Sequence, residues 1–499
     1  MTRLVVRTAT DASGLDALLQ PRTGVVLERL AGDGRFEAAE GPVTGYARTV
    51  HVDPVTDGQV MVTERIEFRP AVSYFGWLFV APLRHTIRRG GAGTPWWAPP
   101  ARLDDRAASV LGSLALLSVI FGYLNTLFTQ TITFAGEEFG AGNSAQGVAG
   151  SVVRVGGILA LLVMTTADRR GRRRVVLTAA LAGSLLAMTG AFSTSLAQLT
   201  VSQMLARGFA SALLVVVTII AAEEVPAGSR AYAVSLLAMA GGLGAGICVI
   251  ALRLADLGPA GWRLLYLIPA LALPALASVR HRLPESRRFV APHASAEISG
   301  HGGRLLLLAV SGLLANLFVA PQSQFGNRFL RTERGFSGGR IGLFSVVVGT
   351  PAAIGIVVGG HLADVKGRRI VAAVALVAGT LCTLSFFFAT GWTVWILALV
   401  GNMASAAAIP ALGVYGPELF PTSLRGRANG VVTATALAGS AAGLVAAGVL
   451  ADRFGSIGPA MAILGLGPLL LAGLVLAAYP ETAGRELEEL NPEDRPPSG

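Results

Sequence analysis

Charged side chains are scarce in this sequence. Only 14% of its 499 residues are Asp, Glu, Lys or Arg, whereas 53% are hydrophobic. Soluble proteins normally carry a charge on about a quarter of their residues. The shortage of charge therefore excludes an ordinary soluble domain and indicates a chain that lies largely in lipid.

Cysteines and nucleotide-binding motifs are also missing or rare. The two cysteines, Cys248 and Cys382, both fall within apolar runs, which excludes a disulfide framework and a cysteine-based metal site. No G-x-x-x-x-G-K-[ST] phosphate loop occurs, and the isolated His51 and His85 form no catalytic constellation. The first residues lack the apolar core of a signal peptide. We therefore expect no cleaved leader, no enzymatic activity, no metal and no cofactor.

Long apolar runs are what the sequence has instead. Twelve stretches of about twenty residues are apolar enough to cross a membrane, and all are rich in the small residues that let membrane helices pack closely. Numbered as spans 1 to 12, they lie near residues 107–134, 145–167, 174–194, 197–222, 231–254, 261–280, 304–325, 341–363, 370–390, 392–416, 427–450 and 457–479.

Most of the arginines between these runs lie in the loops that follow spans 2, 4, 6, 8 and 10. Cytoplasmic loops carry an excess of Lys and Arg, so this bias predicts a multi-pass protein of the cell membrane with both termini in the cytoplasm. In a soluble protein, the net charge of +10 would suggest nucleic-acid binding. Because the arginines form short clusters between apolar runs, we expect the lipid bilayer as partner and no nucleic acid.

The arginine clusters belong to a long internal repeat. ADRRGRRR at 167–174 and ADVKGRRI at 363–370 stand 196 residues apart. Three other pairs of landmarks recur at the same or nearly the same offset: LAD at 254–256 and 450–452, PES at 284–286 with PET at 480–482, and EEVPAGSR at 223–230 with ELFPTSLR at 418–425. A shared offset indicates tandem duplication of a six-helix unit, an architecture in which two halves surround a central site.

The first hundred residues differ from the rest. GQVMVTERIEFRP alternates apolar and polar residues, and the segment around it predicts a hairpin through Asp57-Gly58. AVSYFGWLFVAPL at 71–83 is too short to span a membrane and is rich in aromatic residues. With the basic RHTIRR behind it, we expect this stretch to lie in the membrane interface. The sequence leaves three roles open for this segment: it regulates the rest of the protein, it binds a lipid or another ligand, or it only folds and has no further role.

Together these patterns predict an all-α membrane protein. Twelve transmembrane helices form two six-helix pseudo-repeats, preceded by a small β-containing cytoplasmic domain. The predicted parts are an N-terminal cytoplasmic domain with an interfacial segment (1–105), the N-terminal six-helix bundle (106–281), a central cytoplasmic loop (282–303), the C-terminal six-helix bundle (304–480) and a cytoplasmic tail (481–499).

The second arginine cluster carries a family signature, Gly-x-Leu-Ala-Asp-x-x-Gly-Arg-Arg. It matches throughout, at Gly360, Leu362, Ala363, Asp364, Gly367, Arg368 and Arg369; the first copy keeps Asp168, Gly171, Arg172 and Arg173 but has Met164 at the leading glycine. RLPESRRF, PELFPTSLRGR and PETAGRELEEL follow spans 6, 10 and 12. With these motifs, residues 107–490 resemble the major facilitator superfamily, closest to its sugar-porter and metabolite-carrier branch. The resemblance implies a solute transporter that works by alternating access, as a proton symporter or a uniporter.

The repeated signature also has a physical interpretation. Glycine at positions 171 and 367 allows a tight reverse turn between two helices, and the aspartates before it lie near helix ends, where they can pair with arginines. We predict that such pairs form latches that close the cytoplasmic side in one state; the alternative is that the arginines only fix topology. The predicted latch residues are Asp168, Gly171, Arg172, Glu224, Arg230, Asp364, Gly367, Arg368, Glu418 and Arg425.

Two arginines fall at membrane depth. Arg154 lies about 21 Å from Asp168 along span 2, at 1.5 Å per residue, and Arg207 lies near the middle of span 4. An arginine keeps its charge and therefore needs a partner or a wet cavity inside a membrane. The two arginines predict a solute site that favours carboxylates or other anions. The alternatives are an ion pair with Glu137 or Glu138, and contacts with carbonyl groups.

Uncharged polar residues in spans 1, 7 and 10 complete the candidate site. They are Asn125, Thr129, Gln130, Asn316, Gln322, Gln324, Asn327 and Asn402. Such residues either bind solutes or hydrogen-bond one helix to another, and the sequence leaves both open. Leu124 and Asn125 stand where the sugar porters have an acid in span 1, so proton coupling would fall to Glu137 or Glu138.

We therefore expect a monomeric secondary transporter for a small polar organic solute, with an anionic solute favoured by the two arginines. Two alternatives remain. One is an exporter of drugs or metabolites. The other is a transporter-like sensor, which would bind its solute without moving it and signal through the N-terminal domain.

Overall fold

The computed structural model describes residues 1–54, 60–90, 95, 97–160, 171–285, 302–413, 415, 419–420 and 425–482, with side chains at all of these positions except 12, 13, 227, 231, 364 and 425–427. Within this part of the chain, eleven helices are long and apolar enough to cross a membrane, and they confirm eleven of the predicted spans. In chain order they are Asp105–Glu138 (span 1), Arg172–Phe192 (span 3), Leu196–Glu224 (span 4), Tyr232–Leu257 (span 5), Arg263–Arg282 (span 6), Gly302–Glu333 (span 7), Gly338–Ala363 (span 8), Arg368–Phe386 (span 9), Thr393–Gly413 (span 10), Ala428–Phe454 (span 11) and Ile457–Ala478 (span 12).

Span 2 is described over its first part only. It forms the α-helix Asn143–Val155 and tightens to a 3-10 turn over Gly156–Ile158, and the remainder of the predicted span, 161–167, lies outside the described residues. Spans 1 to 6 are called the N-half and spans 7 to 12 the C-half. The end of the bundle that carries the arginines after spans 2 and 8 is called the arginine-rich end, and the opposite end is called the distal end.

The duplicated PES and PET motifs cap helices within their own halves. Gly171 and Gly367 precede spans 3 and 9 with φ of 89° and 95°, a backbone region that glycine enters without strain. The carboxylate of Glu285 then accepts a hydrogen bond from the backbone N–H of Arg173 at 3.1 Å, and Glu481 accepts one from the N–H of Arg368 at 3.0 Å. A carboxylate at a helix N-terminus is stabilised by the helix dipole. The common offset of these motifs therefore reflects one capping device used twice.

Small residues bring the spans into close contact within each half. A methyl group at Gly244 of span 5 would overlap the carbonyl oxygen of Val119 in span 1, and one at Gly443 of span 11 would overlap that of Leu317 in span 7. Membrane helices associate through such tight van der Waals packing because lipid provides little hydrophobic driving force between them. The glycines therefore fix which spans are neighbours.

The first seventy residues form a five-stranded antiparallel sheet, as the alternating pattern predicts. Its order is β1-β5-β4-β3-β2, and a helix, α2, follows it. The elements are β1 (Thr2–Thr10), the short helix α1 (Ala12–Leu18), β2 (Leu27–Gly32), β3 (Arg35–Glu40), β4 (Val43–Pro54), β5 (Val60–Pro70) and α2 (Gly76–Arg88). Pro54 pairs with Val60, which confirms the predicted hairpin, although Asp57 and Gly58 lie outside the described residues. The sheet and its two helices are called the β-domain.

The β-domain holds a buried group of charges beside its apolar core. Arg48 is fully buried and pairs with Glu28 at 2.7 Å and with Glu64 at 2.9 Å. Burial alone would lower the pKa of Arg48, but hydrogen bonds and attraction from Glu28 and Glu64 raise it. Burial and the neighbouring Glu28 also raise the pKa of Tyr46 well above its ordinary value. Arg22 also pairs with Glu64, at 2.8 Å. Two arginines thus balance two glutamates, so this group fixes the sheet and leaves no net charge to attract a ligand.

The β-domain is attached to the N-half. Ser73 bonds Ser109 of span 1 at 2.8 Å, and Tyr74 donates to Ser278 of span 6 at 2.9 Å. Three more hydrogen bonds, Tyr232 to Trp97 and two between Ser229 and Ala101, join the linker that follows α2 to the start of span 5. All hydrogen bonds between described residues of the segment 1–104 and the bundle thus go to spans 1, 5 and 6 or to the turn before span 5.

Candidate solute-binding site

The two halves meet at the distal end through a pair of repeat-related aspartates. Asp256, at the end of span 5, accepts hydrogen bonds from the N–H groups of Gly338 and Gly339 at 2.6 and 2.7 Å. Asp452, at the end of span 11, accepts them from the N–H groups of Asn143 and Ser144 at 3.0 and 2.8 Å. Each carboxylate therefore caps the first turn of a helix in the opposite half, spans 8 and 2 respectively. These are the aspartates of the repeated LAD motif.

Glu137 and Glu138 lie at the same end but have different partners. Glu137 pairs with Arg331 of span 7 at 3.2 Å, so this ion pair joins the two halves. Glu138 pairs with Arg263 of span 6 at 2.7 Å and accepts a hydrogen bond from Trp262, so its contacts stay within the N-half. Both predicted proton carriers are thus held by arginines, and neither of these arginines is Arg154.

Further hydrogen bonds join the halves deeper in the bundle. Asn327 donates to Gln130 at 2.8 Å, Gln324 to the carbonyl of Gln146 at 2.8 Å, Ser151 to the carbonyl of Ala441 at 2.7 Å, and Arg154 to Ser323 at 3.2 Å. Every hydrogen bond between described residues of the two halves falls between the distal end and the level of Arg154. The halves are therefore closed on each other at the distal end.

A cavity of about 350 Å³ lies beside these contacts. Span 7 contributes six of its fourteen lining residues, spans 8, 9 and 10 together contribute seven, and span 1 contributes Gln130. Its polar groups are amides and hydroxyls, facing aromatic and aliphatic side chains, which is typical of a small-molecule site. The lining residues are Gln130, Val319, Gln322, Ser323, Gly326, Asn327, Leu330, Phe344, Ser345, Val348, Thr383, Phe386, Ala398 and Asn402.

Arg154 and Arg207 lie inside the bundle without a carboxylate partner among the described residues. Arg207 donates to the backbone carbonyl of Asn125 at 2.7 Å, and Arg154 donates to Ser323, a residue of the cavity wall. Glu137 and Glu138, which the sequence offers as alternative partners, are engaged with other arginines.

The structure separates the other candidate polar residues into two groups. Gln130, Gln322, Asn327 and Asn402 line the cavity. Asn125 meets Arg207 through its backbone, and Thr129 is not part of the wall. Asn316 donates to Gly312 and accepts from Ser440, and Gln324 is only 2% exposed, so both serve helix packing.

Sequence reasoning missed three hydroxyl groups of the cavity, Ser323, Ser345 and Thr383. The position of Ser323 in the cavity wall could have been predicted from the sequence. The lining positions 319, 322, 323, 326, 327 and 330 of span 7 recur at the three- and four-residue spacing of one helix face.

The predicted latch residues at the arginine-rich end are described in part. Arg172 pairs with Glu223, and Glu224 accepts hydrogen bonds from Arg106 at the start of span 1. Arg368 donates to Thr482 at 2.9 Å. Asp168 and Glu418 lie outside the described residues, as do the side chains of Asp364 and Arg425.

Known proteins match this chain in sequence pattern and in fold. The family model described as Major Facilitator Superfamily matches twice, over residues 114–316 and 305–497. No curated protein matches the chain in sequence.

Several solved structures share the fold at low sequence identity. The xylose transporter XylE from E. coli, in an inward-open conformation, superposes with a TM-score of 0.65 at 18% identity, over 78% of this chain and 99% of its own. A bacterial homologue of the human lysosomal transporter Spinster, inward-facing and unoccupied, gives 0.64 at 14% identity, over 79% and 99%. The nucleoside transporter NupG gives 0.60 at 14% identity, over 74% and 98%. The β-domain lies outside both ranges that match the family model.

Proposed function

The chain belongs to the major facilitator superfamily, and from this premise we propose that it moves a small, polar, anionic organic solute across the cell membrane. The family works by alternating access, in which two halves rock about a central site. In this proposal the arginine-rich end faces the cytoplasm, because basic loops are retained there. The observation that carries the choice of solute is that Arg154 and Arg207, both partly buried inside the bundle, have no carboxylate partner among the described residues.

Two positive charges inside a membrane protein need a negative counterpart. A charged side chain in the membrane interior costs about 2.5–3.5 kcal/mol on insertion scales unless a partner or water compensates for it. Arg154 and Arg207 have only hydroxyl and carbonyl partners among the described residues. A solute with a carboxylate or a similar anionic group would supply the missing charge and would bind the planar guanidinium groups in a bidentate manner.

The cavity next to Arg154 suits the rest of such a solute. Arg154 reaches this cavity through Ser323, while Gln130, Gln322 and Asn402 offer both donors and acceptors for hydroxyl or carbonyl groups. Phe344 and Phe386 provide an apolar face on the same wall. A small organic acid with hydroxyl or amide groups fits this distribution of charge and polarity.

A thermal-shift screen of the purified protein tests the proposal. Neutral sugars, amino acids, organic amines and organic acids of similar size are compared, and we expect the organic acids to raise the melting temperature most. Stabilisation by neutral sugars alone, or by amines, would contradict an anionic solute. Uptake of the best ligand into proteoliposomes then separates a transporter from a sensor, which would bind without transport, and the direction of net movement separates uptake from export.

We further propose that transport is coupled to protons through Glu137. Protonation of this residue breaks its ion pair with Arg331 and so removes one contact between the halves at the distal end. We expect Glu137→Gln to abolish accumulation driven by a pH gradient in proteoliposomes, while exchange down a solute gradient continues.

Glu138→Gln is the matched control, because Glu138 is the neighbouring residue and its contacts stay within the N-half. This variant should still accumulate solute. Undiminished accumulation by the double Gln variant would exclude both glutamates as proton carriers and leave uniport, or another acid, as the explanation.

A further inference from the structure

A second cavity lies away from the solute site. It has a volume of about 710 Å³ and occupies the joint between the β-domain and the N-half. The end of β5, the start of α2 and the arginine-rich ends of spans 1 and 6 form its walls. The proposed transport cycle does not use it.

This cavity is positively charged. Arg69, Arg106 and Arg282 line it, against Asp105 as an acid of the wall. Arg106 forms an ion pair with Glu224 at 3.3 Å. Arg69 and Arg282 form no ion pair with any described residue. Arginines that converge without a carboxylate partner form the usual recognition site for a phosphate group.

Tyr74 is held in a strained conformation at the edge of the same cavity. Its φ is 61°, and no other non-glycine residue in the described part of the chain has a positive φ. Its hydroxyl donates to Ser278 at 2.9 Å, and its ring lies 5.4 Å from the guanidinium carbon of Arg282. Strained backbone of this kind concentrates at ligand-binding sites. Here the strain places an aromatic ring against one of the two unpaired arginines.

The cavity has an exposed aromatic side chain in its wall, close to the arginine-rich ends of spans 1 and 6. Trp77 belongs to the cavity wall and is 72% exposed, and the adjacent Leu78 is 49% exposed. The bonds from Ser73 and Tyr74 to spans 1 and 6 fix the start of α2 at this level. Tryptophan is enriched where a membrane meets water, and exposed apolar residues next to arginines are typical of a helix that lies on an anionic bilayer.

From this arrangement we propose that the cavity binds the phosphate headgroup of an anionic phospholipid. The phosphate lies between Arg69 and Arg282, and the acyl chains pass along Trp77 and Leu78 into the bilayer. The bound lipid thereby joins the β-domain, the N-half and the membrane. The proposal does not depend on the identity of the transported solute.

Tryptophan quenching by brominated lipids tests this site in the full-length protein. The protein is reconstituted into vesicles of phosphatidylcholine with a minor fraction of phosphatidylglycerol, and one lipid or the other carries brominated acyl chains. The signal of Trp77 is the difference between the native protein and Trp77→Phe. We expect phosphatidylglycerol to quench Trp77 preferentially, and Arg69→Gln with Arg282→Gln to lower this preference about tenfold, because each basic side chain near an anionic surface strengthens lipid binding severalfold.

The double variant Arg84→Gln with Arg88→Gln is the matched control. It removes the same charge from α2 outside the cavity, and all four arginines are exposed, so both double variants should fold. The control should keep most of the preference. Equal quenching by the two lipids, or an equal loss in both double variants, would overturn the proposal. Loss of the preference on adding glycerol 3-phosphate would identify a soluble phosphate ester as the ligand and would also overturn it.

Discussion

Replacing Arg154 by Gln should weaken binding of the anionic solute by roughly 2–5 kcal/mol, the usual effect of removing one member of a buried charged pair. This corresponds to a loss of affinity between about thirtyfold and several thousandfold. The melting temperature of the empty protein should change little, because Arg154 has no carboxylate partner among the described residues and its removal strands no acid. Titration calorimetry with the best organic acid from the screen, and thermal unfolding without it, measure the two quantities.

Arg263→Gln is the control for Arg154→Gln, because Arg263 has a carboxylate partner. Its expected effects on affinity and melting temperature are the opposite. Arg263 pairs with Glu138 at the distal end, so its loss leaves an uncompensated carboxylate and should lower the melting temperature while affinity is kept. If Arg154→Gln behaved like Arg263→Gln, with lost stability and unchanged affinity, Arg154 would be structural and the solute site would have to be sought elsewhere. Arg207→Gln should resemble Arg154→Gln.

The second large effect concerns the two aspartates that close the distal end. Asp256→Asn combined with Asp452→Asn should open that end, because each change removes the charge that caps a helix of the opposite half. A hydrogen bond contributes about 1.5–3 kcal/mol to a charged acceptor and about 0.5–1.5 kcal/mol to a neutral one, and Asn still accepts, so each change should cost about 1–2 kcal/mol. A combined loss of about 2–4 kcal/mol would shift the equilibrium between the two states by roughly thirty- to a thousandfold. Distances between spin labels on the distal ends of spans 2 and 11, and of spans 5 and 8, report this shift.

Glu333→Gln is the control for the distal closure. Glu333 also caps a helix at the distal end, but it accepts its hydrogen bond from Ile457 within the C-half. This variant should leave the label distances unchanged. If the double Asp variant also left them unchanged, the aspartates would be ordinary helix caps without influence on the alternation between states.

The spans were predictable because their signal is contained in short windows of sequence. A run of about twenty apolar residues has few other structures available to it. Ten runs have the predicted bounds within four residues, and the helix of span 7 continues eight residues past its predicted end. The duplication was also visible as a fixed offset. The partners of the repeated residues were not, because Asp256 contacts a helix end 82 residues further along the chain, and that meeting depends on how the two halves close.

In the candidate site, too, the sequence alone does not predict which side chains meet. Gln322 and Gln324 are two residues apart in span 7 and look equivalent in sequence, yet Gln322 lines the cavity while Gln324 is buried against Gln146. The difference is one of helix rotation, which is set by packing against spans 1, 2 and 11. In the β-domain, by contrast, the alternation of β5 already places Glu64 on the same face as Val62 and Ile66. A buried charge could therefore have been predicted there.

The attachment of the β-domain to one half has a practical consequence for imaging. A 51.3 kDa transporter has few features outside its detergent belt by which single particles can be oriented. The β-domain provides one such feature. Because the hydrogen bonds described for the β-domain and the linker behind it go to spans 1, 5 and 6 and to the turn before span 5, aligning images on it holds the N-half still and displays the movement of the C-half directly. An antibody fragment raised against the edge strand β2 would enlarge this reference mark without touching the half that moves.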